Sequence, residues 1–137
     1  MNERVVKIAG GPIPPETDLV AKQVVDAAFA VHTALGPGLV ENVYESCLVH
    51  ELSKRRLGVK RQVALPVLYD NIRLDAGVRL GMVVEDRVLV EPKAVEIVLP
   101  VHMAQLLTYL KLSGLRLGLL INFNVPVIKD GIKRLAL

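Results

Sequence analysis

The sequence predicts an α/β protein in which a mixed central β-sheet is flanked by helices. Three observations carry that reading. Two stretches of helical apolar spacing come first, over residues 19–35 and 40–56. Extended segments and a hairpin then occupy residues 61–90, and a third helical stretch follows Pro100. Finally, residues 117–123 form an apolar run typical of a strand buried on both faces. The order helix, helix, strands, hairpin, helix, buried strand builds a sandwich around one sheet.

At 137 residues the chain is one domain, long enough for a core of its own. Gly10-Gly11-Pro12-Ile13-Pro14-Pro15 carries turn chemistry, so residues 1–15 are expected as a flexible lead-in and residues 16–137 as the domain. Thr17 or Asp18 can cap the first helix. Its apolar stripe is Leu19, Val24, Ala27, Ala28, Val31 and Leu35, and Gly36-Pro37-Gly38 stops it. In the second helix Val43, Tyr44, Cys47, Leu48, Glu51 and Leu52 share a face, and Gly58 ends it. Residues 61–66 and 67–69 are extended, and Asp70-Asn71 suits a two-residue hairpin turn into 72–74. Asp75-Ala76-Gly77 is expected as a short loop. In the third helix Val101, Ala104, Leu107, Thr108 and Leu112 alternate with polar positions, and Gly114 stops the run. Residues 125–128, the Lys129-Asp130-Gly131 turn and residues 132–135 suggest a short terminal hairpin.

Composition narrows the function classes. No apolar run reaches the roughly 18 residues of a membrane span, and the first residues lack the apolar segment of a signal peptide. Cys47 stands alone, which excludes a disulfide framework, a Cys-rich zinc site and a four-Cys cluster; a cytoplasmic location is the expectation. Seventeen basic against fourteen acidic residues leave a net charge of +3, which permits nucleic-acid contact without demanding it. Lys54-Arg55-Arg56, with Lys60-Arg61 beyond, reads either as cations at a helix C-terminus or as a phosphate-contacting patch.

The stretch richest in chemistry is VRLGMVVEDRVLVEPK, residues 78–93. Two apolar runs flank Glu85-Asp86, and the second strand ends with Glu91 and Lys93 two positions apart, hence on one face. These form either a strand-end ion pair or part of a site. A three-residue loop, Glu85-Asp86-Arg87, sets position 81 opposite 91; a two-residue loop sends them to opposite faces. Pro92 cannot donate into a ladder, so it marks a bulge, an edge or an already unpaired position.

Gly38-Leu39-Val40-Glu41-Asn42-Val43-Tyr44 matches the pattern of the GxxExxY family, a branch of the PD-(D/E)XK nuclease-like superfamily. Glu91-Pro92-Lys93 resembles that family's Glu-x-Lys, and residues 102–109, HMAQLLTY, resemble the helix that follows it. The similarity runs in order from about residue 20 to 135. It implies a restriction-endonuclease-like α-βββ-α-β core and a metal-dependent DNA nuclease. It also implies Mg²⁺ or Mn²⁺ held by Glu91, the Pro92 carbonyl and Glu41, with Lys93 positioning the nucleophile or stabilising charge, and Gln105 and Tyr109 shaping the wall. Where the family has its metal-binding Asp, this chain has Gly81. Glycine inside a strand is unfavourable, so a carboxylate there is expected to be tolerated. With that ligand missing, two functions stay open: a weakened nuclease, or a non-catalytic descendant that binds nucleic acid or protein. DNA is the expected partner, a second copy or a protein partner is left open, and no membrane is involved. Glu45 is assigned to the helix N-terminal turn and Tyr44 to the core with an anchored hydroxyl.

Overall fold

A computed structural model of the protein describes Arg4–Val5 and residues 11–137. The elements are β1 (Arg4–Val5), α1 (Pro15–Leu35), α2 (Glu41–Lys54), β2 (Val59–Tyr69), β3 (Ile72–Val84), β4 (Val88–Lys93), α3 (Pro100–Ser113), β5 (Leu117–Asn122) and β6 (Ile132–Ala136). The expected flexible lead-in lies partly outside the described residues. Within it, Arg4–Val5 pair in parallel with Leu135–Ala136, and Pro15 already belongs to α1.

The strands form one six-stranded sheet in the order β1-β6-β5-β4-β3-β2. β4 and β5 run parallel; β2–β3, β3–β4 and β5–β6 are antiparallel. On one face α1 and α2 bury Val24, Tyr44, Leu48 and Leu52 against Met82, Val90, Leu119 and Phe123. On the other, α3 buries Leu106 and Leu110 against Leu80, Leu89, Leu120 and Leu135. The anticipated mixed α/β sandwich is the observed architecture.

Several local expectations are corrected. α1 starts at Pro15, which fits a first helical position because its missing N–H would have no partner there, so Thr17 and Asp18 sit inside the first turn. Its packed stripe is Val20, Ala21, Val24, Ala27, Ala28 and Val31, while Leu19 and Leu35 are exposed; the alanine-rich side gives the closest approach to its neighbours. In α3 the buried residues are Leu106 and Leu110, and Val101, Ala104, Thr108 and Leu112 face outward. Gly118 on β5 decides this: a Cβ there would lie 3.0 Å from a Leu106 methyl, so Leu106 fills the space.

Residues 75–77 are not a loop. β3 is continuous, and the pairing with β2 shifts between Leu65 and Val67, opposite Gly77 at φ 106°. Proline at 66 cannot donate there, so the extra residues on β3 are absorbed as a bulge. The Asp70-Asn71 turn forms as expected, both residues having positive φ. Residues 125–128 make no strand: His32 Nε2 bonds the Val125 carbonyl at 2.8 Å, Pro126 lacks an N–H, and a 3-10 turn at Ile128–Gly131 follows. The terminal antiparallel pair is therefore β5 with β6.

The side-chain alternation of β3 slips at Gly81. Met82 and Val84 belong to the core under α1 and α2 and Val83 to the core under α3, yet Leu80 also belongs to the α3 core. β2 slips in step: Val59 packs on the first core, Val63 and Leu65 on the second, with Gln62 at φ 50° between them. Register pairs run Arg61↔Met82 and Val63↔Leu80, skipping Gln62 and Gly81. Such an irregularity re-aims side chains locally.

Candidate active site

The site grows from the end of β4. Leu89 packs toward α3, and alternation sends Glu91 and Lys93 from the same face. The three-residue turn Glu85-Asp86-Arg87 forms, and the register Met82↔Val90, Val83↔Leu89, Val84↔Val88 carries on to set Gly81 opposite Glu91. A Cβ at Gly81 would lie 3.3 Å from Glu91 Oε1 and 3.2 Å from the Pro92 ring. Pro92 lies beyond the last β3–β4 pair and stays in register with Ile121 of β5. The Gly81 amide donates to Glu91 Oε2 at 2.7 Å.

Glu91 is only 7% exposed. Burial raises its pKa above the ordinary value; the Gly81 amide and the Lys93 charge oppose that, and the charges of Glu41 and Glu45 reinforce it. Tyr109 on α3 feels the same carboxylate: burial and then the Glu91 charge raise its pKa, and the neighbouring Gln105 side chain opposes the shift. Gln105 itself is exposed and Tyr109 half-buried. Glu41 stands at the first position of α2, exposed. The residues singled out in the sequence thus share one electrostatic neighbourhood at the end of β4.

The motif Gly38…Tyr44 acts as a clamp that sets where α2 begins. The Tyr44 hydroxyl donates to the Gly36 carbonyl at 2.6 Å and accepts from the Leu39 amide at 3.1 Å, while its ring stacks on Phe123 with centroids 4.7 Å apart. Gly38, at φ 104°, gives its amide to Asn124 Oδ1 at 3.1 Å. Asn122, buried, bonds both the amide and the carbonyl of Val95 and so fixes the chain leaving β4. Its signal in the sequence is an amide closing a wholly apolar run.

Glu45 escapes its sequence assignment. It is 6% exposed, and both its oxygens are engaged: Arg61 Nε and Nη2 reach Oε2 at 3.1 and 2.9 Å, and Gln62 Nε2 reaches Oε1 at 3.1 Å. This pins the bulge residue that faces Gly81. Nothing local in the sequence distinguishes Glu45 from an ordinary helix-start acid, because its partners lie sixteen and seventeen residues away. Asp75 pairs with Arg73 at 2.8 Å in exposed positions. In the basic run, Lys54 pairs with Glu51 at 3.1 Å and Arg55 donates to Gln23 at 3.2 Å. Lys60 pairs with Asp86 at 2.8 Å.

Among the described residues no group of three or more His, Cys, Asp or Glu is arranged to hold a metal ion. The donors that remain are one buried carboxylate already gripping an amide, one exposed carboxylate and the Pro92 carbonyl. Magnesium favours near-ideal octahedral oxygen coordination. The residues present do not fit a complete site of that kind, and the shortfall falls at Gly81.

A family model of the PD-(D/E)XK nuclease superfamily matches residues 18–135. No curated protein and no solved structure matches the chain. No helix of the described residues is long and apolar enough to cross a membrane. With the match spanning the helices, the hairpin and the buried strand alike, the chain belongs to the PD-(D/E)XK nuclease superfamily.

Proposed function

We propose that the protein is a DNA-directed member of the GxxExxY branch whose metal-dependent phosphodiester hydrolysis is weakened by the loss of one carboxylate. The observation that carries this reading is the 2.7 Å bond from the Gly81 amide to Glu91. The position facing Glu91 offers a donor rather than a second acid, so it favours a self-satisfied carboxylate over a cation site. The substrate-side groups remain. Lys93 supplies a positive charge beside Glu91 for a phosphate, and Gln105 with Tyr109 provides a polar wall on α3. Glu91, the Pro92 carbonyl and Glu41 are the atoms to which Mg²⁺ or Mn²⁺ would be drawn, one ligand short.

The test compares supercoiled plasmid incubated with the protein in Mg²⁺, in Mn²⁺ and in chelator, alongside DNA binding measured at several salt concentrations. Slow, metal-dependent nicking that disappears in Glu91→Ala and Lys93→Ala is expected. Salt-dependent binding with no nicking in either metal would assign the chain to the non-catalytic descendants. Fast nicking that survives Glu91→Ala, or absence of both binding and nicking, would overturn the proposal.

A further inference from the structure

Beyond Pro66 the β2–β3 hairpin continues as an arm that joins neither core. The pairs Val67↔Leu74, Leu68↔Arg73 and Tyr69↔Ile72 define its faces. Directly opposed residues share a side, so Val67, Tyr69, Ile72 and Leu74 line one face and Leu68 with Arg73 the other. Tyr69 is 72% exposed and Ile72 56%. An apolar face of this kind projecting into water marks an interaction surface.

A second unfilled apolar feature lies between α3 and β6. A groove of about 470 Å³ is lined by Leu99, Met103, Leu107 and Leu135, with Lys133 as its charged member. Topology sets groove and arm at the same end of the sheet. Glu91 pairs with Leu120 and Leu120 with Lys133, so the groove lies two strands from the candidate site. β3 runs antiparallel to β4, so its first residues, which form the arm, project past the same end of the sheet on the other side.

Charge selects the occupant. The arm carries Arg73, Asp75 and Asp70; Arg73 and Asp75 neutralise each other, which leaves Asp70 at the tip. A negative tip repels a phosphate backbone, whereas it complements Lys133 in the groove. We propose that the arm of one copy seats in the α3–β6 groove of a second copy, and reciprocally, to make a two-fold dimer. A reciprocal exchange closes on itself, and every contact is made twice, as isologous symmetry requires. Asp70 meets the partner's groove cation while the apolar face of the arm fills the groove. Each protomer thereby covers the flank of the other's Glu91 site.

Sedimentation at micromolar concentration should give twice the 15.0 kDa mass of the chain. Ile72→Asp should give a monomer with unchanged circular dichroism. Asp70→Lys and Lys133→Asp should each weaken the dimer several-fold, and the double variant should restore it. In a Cys47→Ser background, Asp70→Cys mixed with Lys133→Cys should form an intermolecular disulfide. A monomeric native chain overturns the inference, as does a dimer that Ile72→Asp leaves intact. Arm variants that weaken DNA binding without changing mass would assign the arm to nucleic acid and overturn it as well. The dimer is read from mass and cross-linking, so it stands or falls separately from any nuclease activity.

Discussion

Installing the missing carboxylate is the most informative perturbation. A Cβ at position 81 would lie 3.0 Å from the Val90 carbonyl oxygen, 3.2 Å from Pro92 Cδ and 3.3 Å from Glu91 Oε1. The first two contacts are with backbone and a rigid ring, so β4 must shift by a few tenths of an ångström. A side chain at 81 is accommodated only where β4 yields by that amount. Such overpacking costs about 1–3 kcal/mol. Gly81→Asp adds a second acid beside a buried one, whose pKa burial already raises. A total loss of about 2–4 kcal/mol in chelator, a fall in Tm of roughly 6–15 °C, is the expected size. Mn²⁺ at a hundred times its Kd should return about 2.7 kcal/mol, and metal-dependent plasmid nicking should rise above the native level. Gly81→Ala isolates the packing cost: it should lose stability and gain nothing from Mn²⁺. Equal Tm for Gly81→Asp in chelator and in Mn²⁺, with no gain in nicking, would refute the idea that position 81 holds the defect.

Glu91→Gln tests the buried carboxylate itself. A folded pKa raised above the ordinary 4.5 means that the native state holds this proton more tightly, so the contribution of Glu91 to stability is full below 4.5 and is lost as pH rises through the folded value. The glutamine variant, which still offers an oxygen to the Gly81 amide, should be more stable than the native chain at pH 8. The two should converge near pH 4, and across that window the difference should open by at most about 1.4 kcal/mol per pH unit. Denaturant titrations at both pH values read the difference, and a native chain more stable at pH 8 would contradict it. Tyr44→Phe should cost about 1–3 kcal/mol, because the Gly36 carbonyl and Leu39 amide lose a buried partner while the ring stack on Phe123 stays; a loss of a few tenths would mean that water replaces the hydroxyl. Lys54→Glu with Arg55→Glu should leave the salt dependence of DNA binding unchanged, since Glu51 and Gln23 engage these side chains at the end of α2. Lys93→Ala should flatten it.

The layer order was legible because period and punctuation agreed. Pro100 and Gly114 bracket α3, Asp70-Asn71 turns β2 into β3, and the fully buried β5 announces itself as an unbroken apolar run. Motif spacing pointed to Glu91, Lys93 and Tyr109, whose charges act on one another, and the three-residue turn sets Gly81 across from Glu91. What escaped depends on partners distant in sequence. The face of α3 that packs is chosen by Gly118, and the burial of Glu45 by Arg61 and Gln62. The end of the chain misled for a related reason. A turn flanked by apolar residues looks like a local hairpin until His32, more than ninety residues earlier, takes the Val125 carbonyl.

The slipped alternation at Gly81 has a consequence for motion. β3 is one strand to the eye, but its side chains answer to two cores and then, beyond the bulge, to none. Hydrogen exchange should resolve it into three zones. Amides from Met82 to Val84, locked between β2 and β4, should open only with the whole domain. Those near Leu80 should follow the α3 layer. Those from Ile72 to Leu74 should exchange almost freely in an isolated chain. The glycine that lacks the acid is thus the joint between two packed layers, while the loose tip begins at the bulge around Gly77, so motion of the arm is separated from Glu91 by the Val78–Leu80 stretch held by β2.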